Sequence, residues 1–365
     1  SEKNRKHCMI LENCCYDWFE MNNRLNMKKK FNIMLCTLIG VLSACNEYDF
    51  DQEQYRNEVG LLSNSSLIYD RQVANVGQEK DTIYLVATVS GSQISPNTHH
   101  VALLESDSLL KAYNKSNFDI EKEKFAKLLP DECYDFPNKE LDIQAGTSKV
   151  MFPIYLKNLE RISPDSIYFL DYKIDPEKTP NYNPDKSHVL LRIYKENYYA
   201  TTKTSTYYNY TSSTIVIPNP SGSPEVRRPT NANQVFPIGA NSVRMMAGDE
   251  DLGDYKTARS RIVSKSIILE IGEQQPENPQ ARELTIRAHD RVNDVEVDPV
   301  DVVQLTPIDD YDNTFLLNAI RTPDGRATYY KEFRLHYKYR LESTAPYREV
   351  KAKLRYEFNP RVDNL

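Results

Sequence analysis

Six of the 25 tyrosines in this chain fall between residues 194 and 210: Tyr194, Tyr198, Tyr199, Tyr207, Tyr208 and Tyr210. Thr206, Asn209 and Thr211 lie among them. Holding a sugar without reacting with it needs flat aromatic faces for its C–H surface and polar groups for its hydroxyls. Tyrosine supplies both. Tyr198, Tyr199, Tyr207, Tyr208 and Tyr210 are therefore candidate glycan-binding residues, forming a stacking platform on a strand or loop. The same residues also suit ordinary strand positions, because tyrosine favours half-buried sheet surfaces.

Other chemistry is less well supported. Glycoside hydrolysis needs paired carboxylates. Asp249-Glu250-Asp251 with Asp254, and Asp309-Asp310 with Asp312, are the acidic clusters, and their Gly and Asn neighbours read as exposed turns. Adjacent carboxylates could hold calcium, but Ser260 stands where an EF-hand loop starting at Asp249 needs Glu. His99-His100 follows a Pro96-Asn97-Thr98 turn with no zinc-spaced partner, and reads as an exposed loop. There is no glycine-rich phosphate loop and no Gly-x-Ser-x-Gly elbow. The expectation is a protein that is not an enzyme, with no catalytic residue, no metal and no cofactor.

The elements begin with a leader. Met27 is followed by Lys28, Lys29 and Lys30, then by a mostly apolar run over residues 31–42, then Ser43-Ala44-Cys45. A basic head, a short apolar core and small residues at the exit are the pattern of a secretory signal. The run is shorter than the roughly 20 residues a membrane-spanning helix needs. Leu42-Ser43-Ala44-Cys45 resembles the lipobox of bacterial lipoproteins, which implies a lipid anchor on Cys45. Residues 1–26 read as upstream sequence preceding the true start, 27–44 as the signal peptide, and 45–60 as a flexible acidic tether. Residues 1–44 hold seven of the 46 basic and four of the 52 acidic residues, so the mature chain carries a net charge of −9. That argues against nucleic acid as a partner. Cys45 and Cys133 are the only cysteines left after processing, so no internal disulfide is expected, and Cys133 reads as a small buried hydrophobe.

Period-two runs dominate the rest. Residues 83–89, 150–156 and 167–172 read as strands, with Pro153 placing the second at an edge or bulge. Two helices are expected, one capped by Asp107 or Ser108 and one over residues 121–129. Residues 176–187, rich in Pro, Asp and Asn, read as the linker between a domain over 61–175 and a domain over 188–365. In the second domain, residues 262–271 and 283–288 read as strands and 218–233 as a long loop. Phe333, Leu335, Tyr337, Tyr339 and Leu341 share one face of a run that pairs with Val350, Ala352, Leu354, Tyr356 and Phe358, a hairpin with one wet face.

Lys111-Ala112-Tyr113-Asn114, Leu128-Leu129-Pro130, Tyr134, Ile143-Gln144-Ala145-Gly146 and Ile167-Tyr168-Phe169-Leu170 together resemble the N-terminal domain of Bacteroidetes surface lipoproteins. The sequence departs where Asp171, not Pro, follows Leu170. The resemblance implies an all-β chain: an immunoglobulin-like β-sandwich, then an antiparallel β-barrel or meander, lipocalin-like in kind. The acidic stretch Asn46-Glu47-Tyr48-Asp49-Phe50-Asp51 just after Cys45 resembles the export signal of such lipoproteins, which implies location on the outer membrane, facing the exterior. The function implied by the domain resemblance is binding oligosaccharide or polysaccharide as an accessory to an outer-membrane porin and glycan-binding lipoprotein pair. The alternative is a structural adhesin or assembly subunit that binds another surface protein.

Overall fold

The computed structural model describes residues 56–252, 259–291, 297–321 and 323–361. The residues upstream of the signal segment, that segment, and residues 45–55 of the tether, Cys45 included, lie outside the described residues.

The first domain is a β-sandwich. Its strands are β1 (Val59–Leu61), β2 (Ile68–Asn75), β3 (Asp81–Val89), β4 (His99–Glu105), β5 (Lys127–Leu128), β6 (Tyr134–Asp135), β7 (Glu140–Ile143), β8 (Lys149–Leu156), β9 (Tyr168–Ile174) and β10 (His188–Glu196). One sheet runs β1-β3-β8-β6 and the other β2-β10-β9-β4-β7, with β5 beside β9. Alternation explains the faces. Ile83, Leu85 and Ala87 point into the core, as do Phe152, Ile154 and Leu156 from β8. Pro153 sits opposite Tyr84, and β6 reaches only Tyr155 and Leu156 on the other side, so the proline deprives no neighbour of a donor.

One helix, α1 (Ser108–Phe118), follows β4. Its Asp107 N-cap pairs with Lys111 at 2.6 Å and makes no side-chain capping bond. Asp171 on β9 does that work: its buried carboxylate accepts the Leu110 N–H at 3.0 Å and lies 3.2 Å from His188 Nε2. The second expected helix does not form. Residues 122–124 make one 3-10 turn, and β5 then runs parallel to β9. Asn114 decides this, because its side chain both donates to and accepts from the Ala126 backbone, holding it out of a helix.

The expected linker is also different. Residues 175–187 form the turn of a β9–β10 hairpin, and β10 lies between β9 and a parallel β2. Val189, Leu191 and Ile193 belong to the sandwich core. The sandwich therefore ends at Glu196, and residues 197–205 lead into the second domain.

That domain is a closed antiparallel barrel. Its strands are β11 (Thr206–Ile217), β13 (Ala232–Gly239), β14 (Ser242–Met246), β15 (Ser266–Gln275), β16 (Asn278–Ala288), β18 (Thr314–Arg321), β19 (Ala327–Arg340) and β20 (Arg348–Phe358). β20 pairs with both β19 and β11, which closes the ring. Two short strands, β12 (Glu225–Arg227) and β17 (Asp301–Gln304), flank it. Thus residues 218–233 are not one loop: β12 and the start of β13 lie within them. Residues 262–265 are also not strand, because α2 (Arg259–Lys265) precedes β15. The C-terminal hairpin forms with Phe333 opposite Leu354 and Leu335 opposite Ala352. Its outer face is only partly wet, since Glu332 and His336 are buried there. Side chains fill the barrel: Tyr199, Tyr208, Phe315 and Phe333 stack in a chain with centroids 4.9–6.4 Å apart.

Candidate functional site

The tyrosine run divides between two sides of one wall. On β11, Tyr208 points into the barrel and is 0% exposed, while Tyr207 points out and is 48% exposed. Tyr208 Oη donates to the Tyr199 carbonyl at 2.9 Å, and Tyr199 is itself 3% exposed. Burial pushes the Tyr208 hydroxyl well above its ordinary pKa. Tyr198 packs edge-on to Tyr199 at 5.2 Å, with the Lys331 ammonium 4.1 Å from its ring centroid. Tyr194 lies on the sandwich side, against Arg192. A single platform is therefore not assembled: Tyr199 and Tyr208 are core, Tyr198 is 36% exposed with the Lys331 ammonium over its ring, and Tyr207 and Tyr210 lie together elsewhere.

Those two line a cleft of about 730 Å³ between the sandwich and the barrel. Tyr207, Gln234 and Phe236 form a floor from the outer faces of β11 and β13, in which Tyr207 and Gln234 are register partners. Pro164 and Asp165 supply the sandwich wall. Thr202, Ser205 and Asn231 add hydroxyl and amide groups.

One end of the cleft is the barrel mouth. Tyr210 donates to the Gly248 carbonyl, and the Gly248 N–H donates to Tyr337 Oη at 2.7 Å. Gly248 has φ +53°, and a Cβ there would meet Tyr339 Oη at 2.6 Å. Only glycine fits this closure. Asn233 completes it, donating to Tyr210 Oη at 2.9 Å and to the Met246 carbonyl at 2.9 Å.

The two domains are joined at the same place. Arg244 on β14, 1% exposed, donates to Asp165 Oδ1 at 2.6 Å and stacks over Phe236 at 4.2 Å. Burial lowers the Arg244 pKa against the opposing pull of Asp165. Its Nε and Nη1 are buried without hydrogen-bond partners. Asn197 donates to the Gly239 and Ser242 carbonyls at 2.8 and 3.0 Å, and Lys331 to the Tyr198 carbonyl at 2.5 Å.

The first acidic cluster lies at the cleft. Glu250 is held by Arg348 at 2.6 Å and Lys265 at 3.0 Å, and Asp249 faces Arg227 at 3.5 Å. Asp254 lies outside the described residues. The second cluster belongs to a segment covering the outside of β19 and β20, where Asp310 meets Lys353 at 2.6 Å. His99 and His100 open β4 rather than a loop, bonded to Ser95 and Asp142. Among the described residues, no group of three or more His, Cys, Asp or Glu is arranged to hold a metal. Cys133 is buried, and burial raises its thiol pKa. Phe236 and Arg244 were missed in the sequence. Period-two spacing from Asn233 to Pro237 was the available signal, obscured by the prolines before it.

Two family models match the chain. One, described as a "-like, N-terminal domain", covers residues 55–181; the other, described as "-like, C-terminal", covers residues 187–355. Solved structures share the fold across both. Two Bacteroides ovatus proteins of unknown function align with TM-scores of 0.59 and 0.57 at 16% identity, covering 82% and 87% of this chain and 94% and 96% of theirs. An auxiliary nutrient binding protein from Bacteroides thetaiotaomicron aligns with a TM-score of 0.55 at 17% identity, covering 81% of this chain and 94% of its own. Two glycosyl hydrolase family 109 proteins of Phocaeicola vulgatus match at 80% identity over 30 residues and 82% over 27. The matched stretches span only 6% and 5% of those curated relatives' length.

Proposed function

We propose that the chain is a glycan-binding accessory protein, lipid-anchored through Cys45 on the outer membrane and facing the exterior. It holds oligosaccharide in the cleft between its domains for a neighbouring porin and glycan-binding lipoprotein, and does not cleave it. The observation that carries this reading is the cleft itself, about 730 Å³, at a domain interface and a barrel mouth, with an exposed Tyr207 on its floor. Small-molecule sites favour both places, and they combine apolar or aromatic surface with a few directed polar groups. Tyr207 and Phe236 supply the first, and Thr202, Ser205, Asn231 and Gln234 the second. The fold likeness to a nutrient-binding protein supports the same direction. The cleft carboxylates support binding without turnover, because Asp165, Asp249 and Glu250 are each engaged by a cation.

Screening the purified protein against a glycan array, with calorimetry on the hits and chromatography of the incubated sugars, tests this. Binding is expected, with the oligosaccharides recovered intact. Absence of any carbohydrate binding would sink the reading, and released products would make the protein a hydrolase instead.

A further inference from the structure

The charged side chains lining the cleft are Asp165, Asp249, Glu250, Asp251 and Arg228. The set looks acidic, but the carboxylates already have partners. Asp165 is paired with the buried Arg244, Asp249 with Arg227, and Glu250 with both Arg348 and Lys265. Asp251 is engaged as well. Arg228 differs from all of these. It is exposed, and among the described residues it has no hydrogen bond and no ion pair. Arg227 also holds Glu225 at 2.7 Å, so with the cations behind the wall counted, five positive groups meet five negative ones, in a chain whose net charge is −6.

A guanidinium presents five N–H donors in a planar fork that matches a carboxylate, sulfate or phosphate. Arg228 precedes Pro229, Thr230 and Asn231, which also line the cleft and lead into β13, where Gln234 is the register partner of Tyr207. The open fork and the aromatic floor therefore face one space. We propose that Arg228 makes the cleft selective for glycans that carry an anionic group, a uronate carboxylate or a sulfate ester. This rests on the glycan-binding reading of the cleft and adds the ligand's charge to it. A neutral sugar leaves Arg228 in water. An acidic one gains a charge-assisted bond, worth about tenfold in affinity.

Matched pairs of probes separate charge from shape: oligogalacturonate and its methyl ester, and chondroitin sulfate fragments and their desulfated forms. Calorimetry should show the charged member of at least one pair binding about tenfold tighter, with that preference shrinking at high salt. Which pair discriminates tells carboxylate from sulfate. Arg228→Gln should erase the preference and leave the neutral member unchanged. Equal binding of both members, or an equal loss of both in Arg228→Gln, overturns the selectivity; the glycan reading then stands if Tyr207→Ala weakens both. Binding of none of the four probes counts against the selectivity, and the wider glycan array then decides whether the glycan reading falls with it.

Discussion

Neighbouring tyrosines in one strand do unrelated work. Tyr207 and Tyr208 differ by one position, and the two-residue period of a strand sends one to the cleft and the other to the barrel core. Composition alone cannot make that assignment, because which parity faces inward depends on pairing with β13 and β20, far along the chain. The cluster of candidates was legible; the division among them was not. Two substitutions separate the roles. Tyr208→Phe removes a buried hydroxyl that donates to Tyr199, so it should cost about 1 kcal/mol of stability in a denaturant melt and leave sugar affinity unchanged. Tyr207→Ala should leave the melt within about 0.5 kcal/mol of wild type, as exposed substitutions do, while weakening oligosaccharide binding about tenfold. Asp171 teaches a related lesson. It is the one departure from the family pattern noted in the sequence, and the structure gives it a job, receiving the first turn of α1 where Asp107 does not.

Elements with strong alternation were readable, and those decided by a distant partner were not. β3, β8 and the β19–β20 hairpin form where period two placed them, because each buries one face on its own domain's core. The residues 121–129 segment fails as a helix because Asn114 and β9 capture its backbone. Residues 176–187 read as a linker because hairpin turns and linkers use the same Pro, Asp and Asn chemistry; only the pairing of β10 with β2 and β9 distinguishes them. The Gly248 closure is an element-scale device of the same kind, bringing tyrosines from two strands, β11 and β19, to one loop. Gly248→Ala places a methyl group against Tyr339 at a positive φ, and should destabilise the barrel by about 1–3 kcal/mol. Differential scanning calorimetry checks it; an unchanged melting temperature would mean that the mouth tolerates a side chain.

At the scale of the whole molecule, the cleft exists because Pro164 and Asp165 of the sandwich face β11 and β13 of the barrel. The Asp165–Arg244 pair crosses that junction, and neither partner is identifiable without the other. Arg244→Ala leaves Asp165 without its cation and empties the space over Phe236, so a cost of about 3 kcal/mol is expected in chemical denaturation. Lys195, close to the same junction and bonded to the Ile162 carbonyl, reports on it through pH. Burial pushes its ammonium down to about 8 from an ordinary 10.5. The folded state therefore releases this proton before the unfolded chain does, and stability should rise as pH climbs between those values. Denaturant midpoints measured across that window should show the rise, and Lys195→Met should flatten it; an equal slope in both proteins would remove Lys195 as its source. The central claim concerns the cleft, and a crystal structure of the protein with a bound oligosaccharide tests it most directly. The account predicts a sugar ring stacked on Tyr207, between Asp165 and the Gly248 loop. A sugar seated instead on the outer face of the sandwich, beside Tyr84 and Tyr155, with the cleft empty, would contradict it.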